Sequence, residues 1–121
     1  MKSPEKLLET AIMALEDLKA SNIHVMDVSK LTSLCTTMIV ASADSTRQTR
    51  ALASHVQEKV KATGGMVYGI EGEQTGEWLL VDLGDIIVHI MQPAIRSYYD
   101  LEGLWSEQAW RSPQENSAVY G

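Results

Sequence analysis

The chain has 121 residues, a single-domain length, and its ten Lys and Arg residues against sixteen Asp and Glu residues give a net charge of −6. With 45% hydrophobic and 21% charged residues, the composition excludes a disordered chain. The acidity disfavours non-specific nucleic-acid binding, which needs cations that neutralise phosphates, and it favours a basic partner. The single cysteine, Cys35, cannot form an internal disulfide. Because no apolar run reaches the ~18 residues of a membrane span and the first residues lack a secretory pattern, we expect a cytoplasmic protein.

The first element is predicted to be a helix that begins at Ser3-Pro4 and ends at Ser21-Asn22. Its apolar residues recur at the three- and four-residue spacing of one helical face: Leu7, Leu8, Ala11, Ile12, Leu15 and Leu18. Two strands are predicted to follow, over residues 23–28 and 36–42. The second strand is the more apolar of the two, which favours a central place in a sheet.

A second helix is predicted to begin at Asp44 or Ser45 and to end at Gly64-Gly65. The inner face of this helix is expected to carry Thr49, Leu52, Ala53, Val56 and Val60. A third strand over residues 66–70 and a polar loop over residues 71–76 follow.

Two strands over residues 77–83 and 86–92 are predicted to form a hairpin around Gly84-Asp85. A two-residue loop pairs Leu79, Val81 and Leu83 with Ile90, Val88 and Ile86, which makes one face aliphatic and places it in the core. The opposite face then pairs Trp78 with Met91, Leu80 with His89, and Asp82 with Ile87. A three-residue loop would change this pairing, so the prediction depends on the turn.

A third helix is predicted to start at Pro93 and to be weakened by Gly103 before Leu104 and Trp105. Residues 106–121 are polar and aperiodic, and they are predicted to form a flexible C-terminal tail beyond a domain of residues 1–105. The order α-β-β-α-β-β-β-α predicts an α/β fold with one mixed sheet of about five strands and flanking helices. Since only two helices are long, one sheet face is expected to be partly bare, unless the third helix covers it.

No recognisable catalytic motif is present. The candidate acids, bases and ligands are Asp27, Glu77, Asp82, Asp85, His24, His55 and His89. None of the histidines has metal-ligand spacing to another, and there is no nucleophile elbow or lysine-bearing phosphate loop. Aspartates that flank a glycine turn, such as Asp82 and Asp85, are explained by hydrogen bonds to the backbone. Cys35 has no basic neighbours and is expected to be structural. We therefore expect a binding protein without a metal or cofactor.

Several segments together resemble the ribosomal silencing factor family, also called Iojap-like. They are Gly-Ile-Glu-Gly at residues 69–72, the string from Trp78 to Met91, and Arg-Ser-Tyr-Tyr-Asp-Leu-Glu-Gly-Leu-Trp at residues 96–105. Asp27-Val28 and residues 45–48 also fit. Two positions depart from the family pattern, since Thr36 stands where an aspartate is usual and Ala43 where a glycine is usual. The resemblance runs from the first helix to Trp105.

The resemblance implies a nucleotidyltransferase-like fold that lacks the enzyme's metal-binding carboxylates. It also implies a translational repressor that binds the large ribosomal subunit through ribosomal protein L-fourteen and stops the small subunit from joining, notably when nutrients run short. Family members tend to form homodimers in isolation. The alternative is a nucleotidyltransferase-like nucleotide-binding protein or enzyme that retains activity through Asp82 and Asp85, which would require carboxylates that converge on two metals.

The residues expected to contact the partner are Trp78, Leu80, Asp82, His89, Met91, Tyr98, Asp100 and Trp105. Trp78 is expected to be the main anchor, because tryptophan is enriched among interface hot spots. Asp82 would pair with a basic ribosomal surface. The last three residues are secondary candidates, since their helix could serve the core instead.

Overall fold

The computed structural model describes residues 4–105, so the predicted tail over residues 106–121 lies outside the described residues. The described elements are α1 (Pro4–Asp17), β1 (Ser21–Asp27), β2 (Thr37–Ser42), α2 (Thr46–Ala62), β3 (Gly69–Glu71), β4 (Trp78–Asp82), β5 (Ile86–Met91), α3 (Pro93–Tyr99) and α4 (Leu101–Leu104). They form one domain around a single five-stranded sheet. The predicted α/β class and element order are confirmed, with the third helix divided into α3 and α4.

The sheet is mixed and has the strand order β1-β2-β5-β4-β3. The central strands β2 and β5 run parallel, and the three other neighbouring pairs are antiparallel. Most side chains of β2 and β5 are buried. This position explains their nearly continuous apolar sequences, because a central strand covered on both faces has no solvent side.

The β4–β5 hairpin has the predicted register. Trp78 pairs with Met91, Leu80 with His89, and Asp82 with Ile87. The hairpin is closed by a 2.9 Å hydrogen bond from the Leu83 amide to the Ile86 carbonyl. Gly84 has a φ of 90° at this turn, and the Asp82 carboxylate accepts a 2.8 Å hydrogen bond from its amide. The two-residue turn therefore fixes which side chains share a face.

Helices α1 and α2 pack on one face of the sheet. All five predicted inner residues of α2 are buried. Of the two predicted caps, Ser45 is the one used: its hydroxyl accepts a 3.1 Å hydrogen bond from the Gln48 amide. The aliphatic face of the hairpin packs against these helices through Leu79, Val81, Leu83, Ile86, Val88 and Ile90. We call this side of the sheet the helical face.

The opposite side of the sheet, which we call the second face, carries a smaller core. Its buried residues are Met26, Val28, Cys35, Met38, Val40 and Met91. Ile95, Leu101 and Trp105 of the α3–α4 segment pack against it and remain partly exposed. The second face is therefore covered in one part and left partly exposed in another. The segment covers Met91, whereas Trp78, Leu80 and Ile87 are only half-buried.

Three predicted boundaries were wrong. The first helix ends at Asp17, and Ser21 and Asn22 belong to β1, where Asn22 takes a φ of 51° beside a register irregularity. The third strand covers Gly69–Glu71 instead of residues 66–70. The third helix breaks at Asp100, which has a φ of 47°, and not at Gly103. The break is stabilised locally, because the Asp100 carboxylate accepts a hydrogen bond from the Gly103 amide and so starts α4.

Candidate partner-binding surface

An aromatic ridge stands where β4 meets α3, formed by Trp78, Tyr98 and Tyr99. The ring centroids of Trp78 and Tyr99 are 4.8 Å apart, and those of Tyr98 and Tyr99 are 5.0 Å apart in an edge-to-face arrangement. The Tyr98 side chain is 81% exposed, and Tyr99 is also exposed. Contacts between rings hold these large side chains in place while they remain accessible to a partner.

His89 lies beneath the ridge and orients its tryptophan. Trp78 Nε1 donates a 2.9 Å hydrogen bond to His89 Nδ1. Because an indole nitrogen only donates, this bond requires an unprotonated Nδ1 and a neutral ring. Burial lowers the pKa of His89 to about 4. The ring therefore stays neutral at physiological pH.

Two of the predicted contact residues are buried. Met91 is 0% exposed and His89 is 5% exposed. The expectation that their side chains lie on the surface is corrected, since strand alternation assigns a face but does not show what packs on it. Met91 belongs to the core on which α3 and α4 pack, and His89 serves the ridge from below.

A groove of about 350 Å³ opens on the second face between the β1–β2 loop and Trp105. It brings together four predicted residues, namely Leu80, Asp82, His89 and Trp105. We call it the β4–β5 groove, and its lining is completed by Thr32, Leu34, Cys35, Met38, Glu71 and Ile87. Leu34, which was not among the predicted contact residues, is 83% exposed.

Two acidic residues, Glu71 and Asp82, line the β4–β5 groove. Glu71 pairs with Leu80 across β3 and β4, so its side chain projects on the same face as those of Leu80 and Asp82. None of the groove-lining residues within the described part of the chain is Lys or Arg. The pKa of the Cys35 thiol is raised by burial and by the negative charges of Asp82 and Asp85.

An ion-pair cluster fastens the α3–α4 segment to β1 and β2. Arg96 Nε and Nη2 donate to the two carboxylate oxygens of Glu102, each at 2.8 Å, and Nη1 donates to Ser42 Oγ at 2.8 Å. His24 Nδ1 lies 2.8 Å from Glu102 Oε2. The hydrogen bonds from Arg96 are the main cause that lowers the pKa of Glu102 to about 2. We call this cluster the Arg96–Glu102 clasp.

The Arg96–Glu102 clasp could not be predicted from the sequence. Residues six positions apart lie on different sides of a continuous helix, so Arg96 and Glu102 gave no pairing signal. Asp100 has a left-handed backbone conformation, which redirects the chain between α3 and α4 and allows Arg96 and Glu102 to meet. Asp100 itself, a predicted contact residue, is exposed and caps α4.

Two of the candidate carboxylates, Asp82 of the enzymatic alternative and Asp27 of the wider set, accept hydrogen bonds from neighbouring residues. Asp82 holds the hairpin turn, and Asp27 accepts hydrogen bonds from the amide and hydroxyl of Ser29. Across residues 4–105, no group of three or more His, Cys, Asp or Glu side chains is arranged to hold a metal ion. Ser45 at the start of α2 is engaged as its cap.

Comparison with known proteins assigns the family. A family model described as "Ribosomal silencing factor during starvation" matches residues 1–119. The chain belongs to the ribosomal silencing factor family. The match extends beyond Trp105, where the resemblance traced from the sequence had ended. Membership of this silencing factor family supports a ribosome-associated silencing role.

Individual members of the family are similar to this chain in sequence and fold. The chain is 53% identical over 104 residues to "Ribosomal silencing factor RsfS" of Chromobacterium violaceum, which covers 86% of this chain and 85% of the relative. It is 30% identical over 89 residues to "Protein Iojap, chloroplastic" of Zea mays, covering 74% of this chain and 39% of that one. A crystal structure from C. violaceum matches with a TM-score of 0.84 and 52% identity, over 86% of this chain and 87% of that one. None of the helices within residues 4–105 could span a membrane.

Proposed function

We propose that this protein is a translational repressor that binds the large ribosomal subunit through ribosomal protein L-fourteen and thereby blocks joining of the small subunit. The observation that carries the proposal is the family match over residues 1–119. The second face supports it, because an aromatic ridge lies there beside an acidic groove and exposed apolar patches commonly mark interaction sites. The proposed action is steric and involves no turnover.

In this proposal some of the predicted residues contact the partner directly, and the buried ones hold those residues in position. Trp78 and Tyr98 anchor the partner, and Leu80, Asp82 and Trp105 contact it from the adjoining β4–β5 groove. His89 and Met91 act from below, since one holds the indole of Trp78 and the other supports the α3–α4 segment. Asp100 caps α4 and thereby places Trp105.

Light scattering of subunit joining tests the proposal. The full-length protein, in severalfold excess over large subunits, is expected to slow or reduce joining. Tyr98→Ala is expected to weaken this effect without loss of stability, because the described ring contact of Tyr98 is with Tyr99 on the surface. Met13→Ala removes an exposed side chain on α1, at the helical face, and is the control. Unchanged joining with the wild-type protein would refute the proposal.

We also propose that the protein is cytoplasmic and forms a homodimer in isolation. A ribosome-associated family supports the cytoplasmic location, and the dimer is what the resemblance to the family implies. Sedimentation equilibrium at micromolar concentrations is expected to give twice the 13.4 kDa chain mass. A single 13.4 kDa species at all concentrations would exclude the dimer and leave the ribosomal role untouched.

A further inference from the structure

The β1–β2 loop forms one lip of the β4–β5 groove and is tied by hydrogen bonds within itself and to Asp85. Leu34 lies in the β1–β2 loop and is 83% exposed, although leucine is one of the most apolar side chains. The loop is held by hydrogen bonds from the Leu34 amide to Thr32 Oγ1 at 3.1 Å and from the Thr36 amide to the Asp85 carbonyl at 2.9 Å. A preorganised loop that presents an aliphatic side chain loses little entropy on binding, which favours a recognition role for Leu34.

The carboxylates that line the groove favour a positively charged occupant. Glu71 and Asp82 contribute carboxylates on one face, and the lining residues of the described chain include no cation to neutralise them. Nucleic-acid phosphates would be repelled by this lining, whereas Lys or Arg side chains would be attracted. Leu80 and Ile87 on the floor and Trp105 at the side supply apolar surface for the stem of the occupant.

We propose that the β4–β5 groove binds a segment of a large-subunit protein in which an aliphatic side chain lies next to Lys or Arg. The aliphatic side chain contacts Leu34 and Leu80, and the cation pairs with Glu71 and Asp82. The inference rests on the proposed function and adds the chemistry of the partner segment. In this proposal the two surfaces have different roles. The groove recognises the charge and shape of the partner segment, and the aromatic ridge supplies apolar contact area.

Binding of the full-length protein to purified large ribosomal subunits tests the groove. Leu34→Ser and Glu71→Lys are each expected to weaken the Kd about fivefold or more, the effect typical of a residue that contributes to an interface. Glu71→Lys is also expected to reduce the dependence of the Kd on salt. Glu71 is chosen over Asp82 because the Asp82 carboxylate holds the hairpin turn.

Two matched controls accompany these variants. Met13→Ser removes an exposed apolar side chain on α1, and Glu73→Lys reverses an exposed charge two residues from Glu71 but outside the groove. Both are expected to bind within twofold of wild type. If Leu34→Ser and Glu71→Lys bind as the controls do while Tyr98→Ala is impaired, the groove inference is overturned and the proposed function stands.

A photoreactive side chain at position 34 identifies the occupant. Cross-linking to a ribosomal protein at an aliphatic residue next to Lys or Arg supports the inference. Cross-linking to ribosomal RNA, to a second copy of the chain, or to residues 106–121 of the same chain overturns it.

If the wild-type protein does not bind large subunits, the proposed function fails and the groove is tested without the ribosome. The probe is then a ten-residue peptide of alternating Leu and Lys, compared with its Leu and Glu counterpart, in NMR titrations of the full-length chain. Shifts at Leu34 and Leu80 with the basic peptide alone, lost in Leu34→Ser, would support the groove chemistry. Equal responses to both peptides, or no response, would overturn it.

Discussion

At the scale of single residues, Trp78 links the surface to the interior. Its ring packs against Tyr99 and its Nε1 donates to His89, so one side chain both presents contact area and is held in orientation. His89 is suited to this role only while it is neutral. The pair therefore couples the aromatic ridge to the protonation of a buried ring.

We predict that His89 makes the fold less stable in acid. Its pKa is about 4 in the folded chain, against 6.5 for an exposed histidine. As the pH falls from 6.5 towards 4, the unfolded chain takes up a proton that the folded chain does not, so the free energy of unfolding decreases by up to about 3 kcal/mol. Urea unfolding between pH 7.5 and 4.5 measures this decrease. His89→Gln, whose amide oxygen can accept from Trp78, is expected to show a shallower dependence, and an identical dependence in both proteins would contradict the prediction.

A pair of substitutions on opposite faces of β4 separates binding from folding. Val81 is fully buried on the helical face, and Val81→Ala is expected to lower the free energy of unfolding by about 2 kcal/mol. Trp78→Ala is expected to retain the fold and to weaken large-subunit binding by roughly thirtyfold, the loss of a hot-spot residue. Thermal unfolding and co-sedimentation with large subunits measure the two effects. Unfolding of Trp78→Ala would assign the tryptophan to the core.

At the scale of secondary-structure elements, α3 and α4 differ from α1 and α2. Neither α3 nor α4 contains a fully buried residue, and the segment is held by partly buried side chains together with the Arg96–Glu102 clasp. A short helical segment with so little burial opens locally more readily than a core helix. The clasp therefore decides how firmly the second face is covered.

We predict that Glu102→Gln loosens the α3–α4 segment selectively. The substitution removes the charge that pairs with Arg96 and leaves the helical face unchanged. Hydrogen exchange at the amides of Asp100 and Leu104 is expected to accelerate, whereas exchange within α2 stays at wild-type rates. Glu58→Gln on the exposed side of α2 is the control. Uniform acceleration across the chain would instead show that the clasp supports the whole fold.

The stability that the Arg96–Glu102 clasp contributes also depends on pH. Glu102 has a pKa of about 2 in the folded chain, below its ordinary value of 4.5, so the stability that its charge contributes is complete above pH 4.5 and is lost as the pH falls towards 2. This window overlaps that of His89 only between about pH 4 and pH 4.5. Hydrogen exchange of α4 is therefore expected to differ between the wild type and Glu102→Gln at pH 5 and to converge only at about pH 2, where Glu102 takes up its proton in the folded chain.

The elements show which features a sequence can predict. The hairpin register followed from a two-residue turn and strict alternation, because a shift of one residue would move every side chain to the other face. The break at Asp100 could not be predicted in this way. It depends on a carboxylate cap and on an ion pair formed only after the chain has turned. The burial of Met91 was missed for a related reason, since alternation does not show what packs on a face.

At the scale of the whole molecule, the two sides of the sheet have different tasks. Leucine, isoleucine, valine and alanine fill the helical face, where α1 and α2 pack on the sheet. The second face is smaller, contains three methionines, and borders both the aromatic ridge and the β4–β5 groove. Stability is concentrated on one side and recognition on the other.

We predict that truncation after Ser106 leaves the described domain folded. The removed residues are polar and aperiodic, and both described hydrophobic clusters are formed by residues that precede Ser106. The melting temperature is expected to change by no more than a few degrees, as measured by circular dichroism. A larger decrease would show that a residue of the removed segment, with Trp110 the foremost candidate, contributes to the core.

The parallel pairing of β2 with β5 determines the order in which the chain can fold. Thr37 and Ile86 are paired although 49 positions separate them, whereas β4 and β5 are joined by a tight turn. Closing the longer loop costs more chain entropy, so the hairpin can form early and the middle of the sheet closes late. Until that closure, the apolar edge of β5 has no partner strand. The most buried part of the native sheet is therefore the part most exposed to misassociation while the chain folds.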